Sequence, residues 1–225
     1  MSFLLGLSLL IAEALAGPGS VAVMYFQNQG NPELEPLKVG LTQMLTTDLV
    51  GAGGVTVVER TQLQALMDEL KLGHSAVVDK DTSAKLGKLL GAEYLVLGSY
   101  FSLAGTLRVD ARLVRVETGE VIYASGSNGT VAEFLDIERK VAAGFRERLG
   151  QLVPGAVPPL PALPVVASLG TVAAQPLDAA LKFSDGLIAL DQHELPRARE
   201  SFQAAIAADP RMEAAARVQL AGMEL

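Results

Sequence analysis

Residues 89–128 read LLGAEYLVLGSYFSLAGTLRVDARLVRVETGEVIYASGSN, and the way this stretch divides into strands decides the fold. Three apolar runs, Glu93 to Leu103, Thr106 to Glu117 and Glu120 to Ser127, are separated only by Ala104-Gly105 and Thr118-Gly119. Links that short admit hairpins and nothing longer, so the runs form an antiparallel meander. In the middle run Leu107, Val109, Ala111 and Leu113 alternate with Arg108, Asp110 and Arg112, the period of a strand with one buried and one solvated face. Val114 and Val116 then break the phase. One extra residue near Leu113-Val114, a β-bulge, would return the apolar side chains to a single face.

Upstream, Ser20 to Gln27 (SVAVMYFQ) is a nearly continuous apolar run, long enough for a strand buried on both faces. Asn31-Pro32 breaks the chain, and Leu34, Leu37, Leu41, Met44, Leu45 and Leu49 recur at three- and four-residue steps, an amphipathic helix over 33–50. Gly51-Ala52-Gly53-Gly54 closes it. These glycines follow a helix and precede a strand, Val55 to Val58, and no Gly-Lys-Ser/Thr is present, so they read as a helix cap and tight turn rather than a phosphate cradle. A second helix, 61–72, carries the stripe Leu63, Leu66, Met67 and Leu70. Asp79 or Asp81 is placed to cap a third, 82–90, and two aspartates supply too few oxygens for a metal site.

Downstream, Phe134, Ile137, Val141, Phe145 and Leu149 define a helix over 131–152. Val153 to Pro176 then holds six of the eleven prolines and no charged residue, which makes it a semi-rigid spacer or an extended strap over a neighbour. Leu177 to Asp191, Leu195 to Ala208 and Met212 to Leu225 are helical, and Gly186, Ala198, Phe202, Ala205 and Pro210 fall at the spacings of a tetratricopeptide repeat. Lys182 and Asp185 stand where that repeat usually has an aromatic residue and a leucine. One and a half repeats bury little surface, so the piece has to lean on the main domain, a sister copy or a partner chain.

The first sixteen residues, MSFLLGLSLLIAEALA, are too short to span a bilayer and end in Ala14-Leu15-Ala16, the small-x-small pattern of a secretory signal. No Lys or Arg precedes the run, and Glu13 interrupts it. The expected organisation is therefore a signal peptide at 1–16, an α/β domain at 17–152, a Pro-rich linker or strap at 153–176 and tetratricopeptide-like helices at 177–225.

Half of the 225 residues are hydrophobic, enough for a sizeable core. A net charge of −7 without three adjacent basic residues argues against a nucleic-acid partner. The absence of cysteine removes disulfides, thiolate nucleophiles, zinc-thiolate sites and a lipidated cysteine together. The two histidines, His74 in a loop and His193 between helices, have no Ser or Cys nucleophile near them in sequence. Arg108, Asp110 and Arg112 could line a polar site, although alternating charges on a strand more often pair across strands and face water. No catalytic, cofactor-binding or metal-ligating residue is nominated.

Three strings carry a resemblance: Val58-Glu59-Arg60 leading into Leu63, Leu66 and Glu69; Gly91-Ala92-Glu93-Tyr94-Leu95-Val96-Leu97-Gly98-Ser99; and Leu107-Arg108-Val109 through Thr118-Gly119-Glu120-Val121. In this order, over about 21–149, the chain resembles the curli-secretion channel (CsgG-like) family. The resemblance implies an α/β (α+β) domain, a mixed sheet with an antiparallel meander flanked by helices, related to the amino-terminal domain of TolB-like periplasmic proteins and located in the cell envelope. The curli channel inserts two long amphipathic hairpins that build its transmembrane barrel. Here only seven residues lie between Ser99 and Leu107 and three between Ser127 and Val131, whereas a spanning hairpin needs two strands of about nine to eleven residues. The expected function is a non-catalytic periplasmic or outer-membrane-associated interaction module of an assembly or secretion system. It would hold a protein partner through the 177–225 helices, with homo-oligomerisation open, no cofactor and no transmembrane segment in the mature chain. The alternatives are a subunit of an oligomeric outer-membrane secretion channel and an enzyme of unknown class.

Overall fold

The computed structural model describes residues 19–50, 52, 54–72, 80–152 and 175–223. The signal-peptide reading of 1–16, Asp79, His74 and nearly all of the Pro-rich stretch fall outside them. The described elements are β1 (Ser20–Val23), β2 (Gln27–Asn28), α1 (Leu37–Leu49), β3 (Thr56–Val58), α2 (Arg60–Glu69), α3 (Lys80–Leu89), β4 (Tyr94–Leu103), β5 (Thr106–Arg115), β6 (Val121–Thr130), α4 (Phe134–Leu152), α5 (Pro176–Asp191), α6 (Leu195–Ala208) and α7 (Glu213–Gly222). The six strands form one mixed sheet in the order β3-β1-β4-β5-β6, with β2 pairing beside β4. β1 runs parallel to β3 and β4, and β4, β5 and β6 are the antiparallel meander.

The Ala104-Gly105 hairpin forms as expected. Both residues lie in the left-handed region, with φ of 49° and 78°, which a two-residue turn matching the strand twist demands. The second link is wider than the two residues read from sequence. Arg115 N donates to Glu120 O (2.9 Å) and Gly119 N to Arg115 O (2.8 Å), so four residues, Val116 to Gly119, span it. Register does slip between Leu113 and Val114, but the extra residue is on the partner strand: Leu113 faces Tyr123 and Val114 faces Val121, leaving Ile122 unmatched. β5 itself keeps an unbroken register with β4. Val114 and Val116 are apolar for another reason, since α3 covers their face of the sheet. A Cβ built on Gly87 of α3 would lie 2.8 Å from Val116 Cγ2 and 3.1 Å from Leu95 Cδ1.

The expected strand over Ser20 to Gln27 is split. Met24, Tyr25 and Phe26 between β1 and β2 are all buried, as are Val21, Ala22 and Val23 of β1. The Phe26 ring lies so close to Gly98 that a Cβ there would approach its Cε1 to 2.2 Å. The expected helix over 33–50 is a 3-10 turn, Pro32–Leu34, followed by α1, because Pro36 stands at the α-helical N-cap. Tyr100, fully buried in β4, donates from its hydroxyl to Leu34 O at 2.8 Å and ties that turn to the sheet.

α1 is not the one-sided amphipathic helix that its leucine stripe suggests. Val39, Gly40 and Gln43, off the stripe, are buried as well, as befits a helix covered all round. One side meets the sheet and α4, and the other meets α5 of the carboxy-terminal helices. Gly40 makes that contact possible, since a Cβ there would stand 2.1 Å from Ser184 Oγ. α5 and α6 form an antiparallel pair closed by Gln175 N donating to Ala208 O. Phe183 and Phe202 are fully buried between them, their rings 5.6 Å apart, with Phe202 against Gly186.

Arg60 fastens this helical pair to the α/β body. It is 2% exposed and forks onto Asp191 at the end of α5, Nη1 to Oδ2 at 2.7 Å and Nη2 to Oδ1 at 2.9 Å. Its Nε donates to Gln43 Oε1 and its Nη1 also to Tyr25 Oη, each at 3.2 Å. Burial alone would favour loss of the guanidinium proton, but the hydrogen bonds and charge of Asp191 and Tyr25 reverse that and hold Arg60 charged. Burial pushes the Tyr25 phenol up to about 12, against the lowering influence of Arg60. Between α4 and α1, Glu138 is buried with Oε1 making no hydrogen bond. Burial first, and then the Asp48 carboxylate, raise its carboxyl well above the usual range, opposed by Arg139. Asp48 is also raised, by burial, against Arg146 and Arg139.

Two outcomes follow. Asp191→Ala strands the Arg60 charge and lowers unfolding free energy by about 3 kcal/mol in chemical denaturation, whereas Arg60→Met with Asp191→Leu recovers most of the loss. A carboxyl raised on folding stabilises at low pH, and that contribution is lost as pH rises through its folded value. Glu138→Gln therefore raises the melting temperature at pH 8, and the gain over the parent chain shrinks toward pH 5, near the ordinary glutamate value, as followed by thermal circular dichroism.

Candidate functional site

The sheet has unequal faces. Leu107, Val109, Ala111 and Leu113 of β5 point into the core, where Tyr123 of β6 meets Phe145 of α4 edge to face at 5.2 Å. On the other face α3 covers only the end near Leu95 and Val116. Beyond it, over β4, β5 and β6, lies an open groove of about 450 Å³ whose lining includes Gln27, Gln29, Ser99, Arg108, Asp110 and Arg112.

The local sequence builds this groove. Alternation along β5 sends Arg108, Asp110 and Arg112 to the same side. Arg108 donates to Asp110 through Nε (2.6 Å) and Nη2 (2.7 Å), and the hydrogen bond and charge of Asp110 hold its guanidinium above its ordinary value. The pair lies over Gly126 of β6, where a Cβ would be 2.2 Å from Asp110 Oδ1 and 3.2 Å from Arg108 Nη2. Arg112, opposite Ala124, is exposed and makes no ion pair or hydrogen bond among the described residues. Such a surface can receive carboxylates and backbone polar groups through Arg112 and the glutamine and serine side chains that line it.

The other sequence candidates lie elsewhere. Asp81 is in the first turn of α3, beside Lys88, Arg115 and Glu117 around a smaller hollow. His193 follows α5 with φ of 61°, its N–H bonded to Leu190 O while Glu194 N bonds to Ala189 O. That is a Schellman closure, with histidine where glycine is usual. Among the described residues no three of His, Cys, Asp and Glu come together as metal ligands, and no helix is long and apolar enough to cross a membrane. Sequence reasoning missed the role of Arg60. Its signal was a cation at the first position of a helix, where the macrodipole disfavours it, so that some other partner had to hold it there.

No curated protein matches the sequence. Several solved structures are similar. The LpoB C-terminal domain from Salmonella enterica is 21% identical with a TM-score of 0.43, the match covering 54% of this chain and 90% of that one. Lipoprotein GNA1162 from Neisseria meningitidis is 17% identical with a TM-score of 0.43, covering 50% of this chain and 81% of that one. The PelC dodecamer from Paraburkholderia phytofirmans is 15% identical with a TM-score of 0.32, covering 62% and 89%. The family model described as curli production assembly/transport component CsgG matches residues 7–104, from the amino-terminal apolar run to the first residue of the β4–β5 turn.

Proposed function

We propose that the chain is a non-catalytic protein-interaction module of a CsgG-like assembly or secretion system, exported to the periplasm or held at the outer membrane. The observation that carries this reading is the open polar face of the sheet. An α/β body with α1 and α4 on one face of the sheet, and α3 at one end of the other, leaves the groove around Arg112 solvated. Exposed surface with charged and hydrogen-bonding groups at its centre suits a partner that supplies complementary groups. The CsgG family match over residues 7–104 supports the envelope setting.

The carboxy-terminal helices, read as tetratricopeptide-like, add a second surface. α5 is occupied by α1, so the outward faces of α6 and α7 are what the tail offers, including Val218, which is 65% exposed. The channel alternative gains no support from the meander, whose first link has two residues and whose second has four between Arg115 and Glu120.

Affinity capture from envelope fractions, with the intact chain as bait, tests this reading. Arg112→Glu and Val218→Glu change the two surfaces without touching the core. A protein recovered with the parent chain is expected to be lost with at least one of these baits. Equal recovery with all three baits refutes the module reading.

A further inference from the structure

We propose that the outer edge of β6 accepts an extended acidic peptide segment as an added strand, with Arg112 receiving its carboxylate. This rests on the interaction-module reading and names the chemistry of the partner.

The first observation is the backbone. β6 is the last strand of the sheet, and among the described residues no strand pairs with its outer side. The Thr130 N–H donates to Glu133 Oε2 at 2.8 Å, so it faces away from β5. Alternation then turns the N–H and C=O of Ala124, Gly126 and Asn128 outward as well. Glu133 closes one end of this edge and the Ile122 bulge disrupts the other, which leaves a window of about one short strand. Exposed edges are ordinarily blunted by charges or proline, and Val121–Thr130 (VIYASGSNGT) has neither. An edge of that kind is a template for strand addition.

The second observation is the charge beside it. Ala124 and Asn128 point their side chains to the same face as Arg108, Asp110 and Arg112, with the bare Gly126 between them, as their pairing requires. Asp110 is neutralised by its fork onto Arg108, and Arg112 has no counter-charge among the described residues. An added strand would lie one inter-strand spacing beyond β6, about 4.8 Å. Ala124, directly between Arg112 and that strand, is too small to obstruct an arginine reaching over it. A glutamate on the added strand opposite Ala124 therefore completes the pair. A second copy pairing through its own β6 brings no acidic side chain, and each copy carries a net charge of −7. Charge complementarity selects the acidic peptide.

The test uses the full chain and a fluorescein-labelled, N-acetylated heptapeptide alternating valine and glutamate, with a valine–glutamine counterpart. Fluorescence anisotropy at low salt is expected to show binding of the glutamate peptide, about tenfold weaker binding of the glutamine peptide, and a similar loss in Arg112→Glu. Amide exchange followed by NMR is expected to slow at Ala124, Gly126 and Asn128 on adding peptide, and to stay unchanged at Ser125 and Ser127, which already pair with β5. Absence of binding, indifference to the glutamate-to-glutamine change, or protection confined to other residues overturns the proposal, as does dimerisation through β6 in sedimentation. Asn128→Pro removes one outward N–H without altering the ladder to β5. Should it still capture an envelope partner that Val218→Glu loses, the module reading stands and the edge assignment falls.

Discussion

The fork between Arg60 and Asp191 is the constraint on which the arrangement of this molecule depends. A guanidinium at 2% exposure is tolerable only with its charge matched and its donors occupied, and the matching carboxylate sits 131 residues away, at the end of α5. Because Gln43 of α1 and Tyr25 beside β1 share the same guanidinium, one side chain binds three regions of the fold together. Removing the carboxy-terminal helices would leave more than an apolar scar; it would leave an uncompensated buried charge.

That closure explains the shape of the core. α1 lies between the sheet and α5, with glycine at position 40 where the two helices come closest, so its burial is nearly complete. The same layering puts Glu138 out of reach of water near Asp48, a cost that neighbouring arginines offset only in part. On the opposite face α3 packs at the end near Leu95 and Val116, and the stretch of β5 around Arg108, Asp110 and Arg112 stays uncovered. The polar groove and the bare edge of β6 are thus consequences of how few elements the chain devotes to that side.

The meander was legible because period-two alternation and glycine turns are local signals: the strand ends at Leu103 and Thr106 fall where they were read, and those at Arg115 and Val121 differ only slightly. The phase break at Val114 was legible too, but its cause was not. A sequence pattern records that a side chain is buried, not which neighbour buries it, so the cover supplied by α3 was not separable from the bulge, which does form between Leu113 and Val114 but with its extra residue in β6. The groove was half legible: Arg108, Asp110 and Arg112 stood out as a charged face, whereas the pairing that spends Arg108 and spares Arg112 needs side-chain geometry.

By itself the sequence determined most of the elements, their order, the antiparallel core of the sheet and the absence of cysteine chemistry, because propensity, periodicity and turn stereochemistry act over a few residues. The tertiary structure alone decided that the carboxy-terminal helices close the core, that Arg60 is a buried clasp, and that one face and one edge of the sheet remain open. Those outcomes depend on contacts between residues far apart in the chain, and on which surfaces run out of neighbours, and no local pattern encodes either.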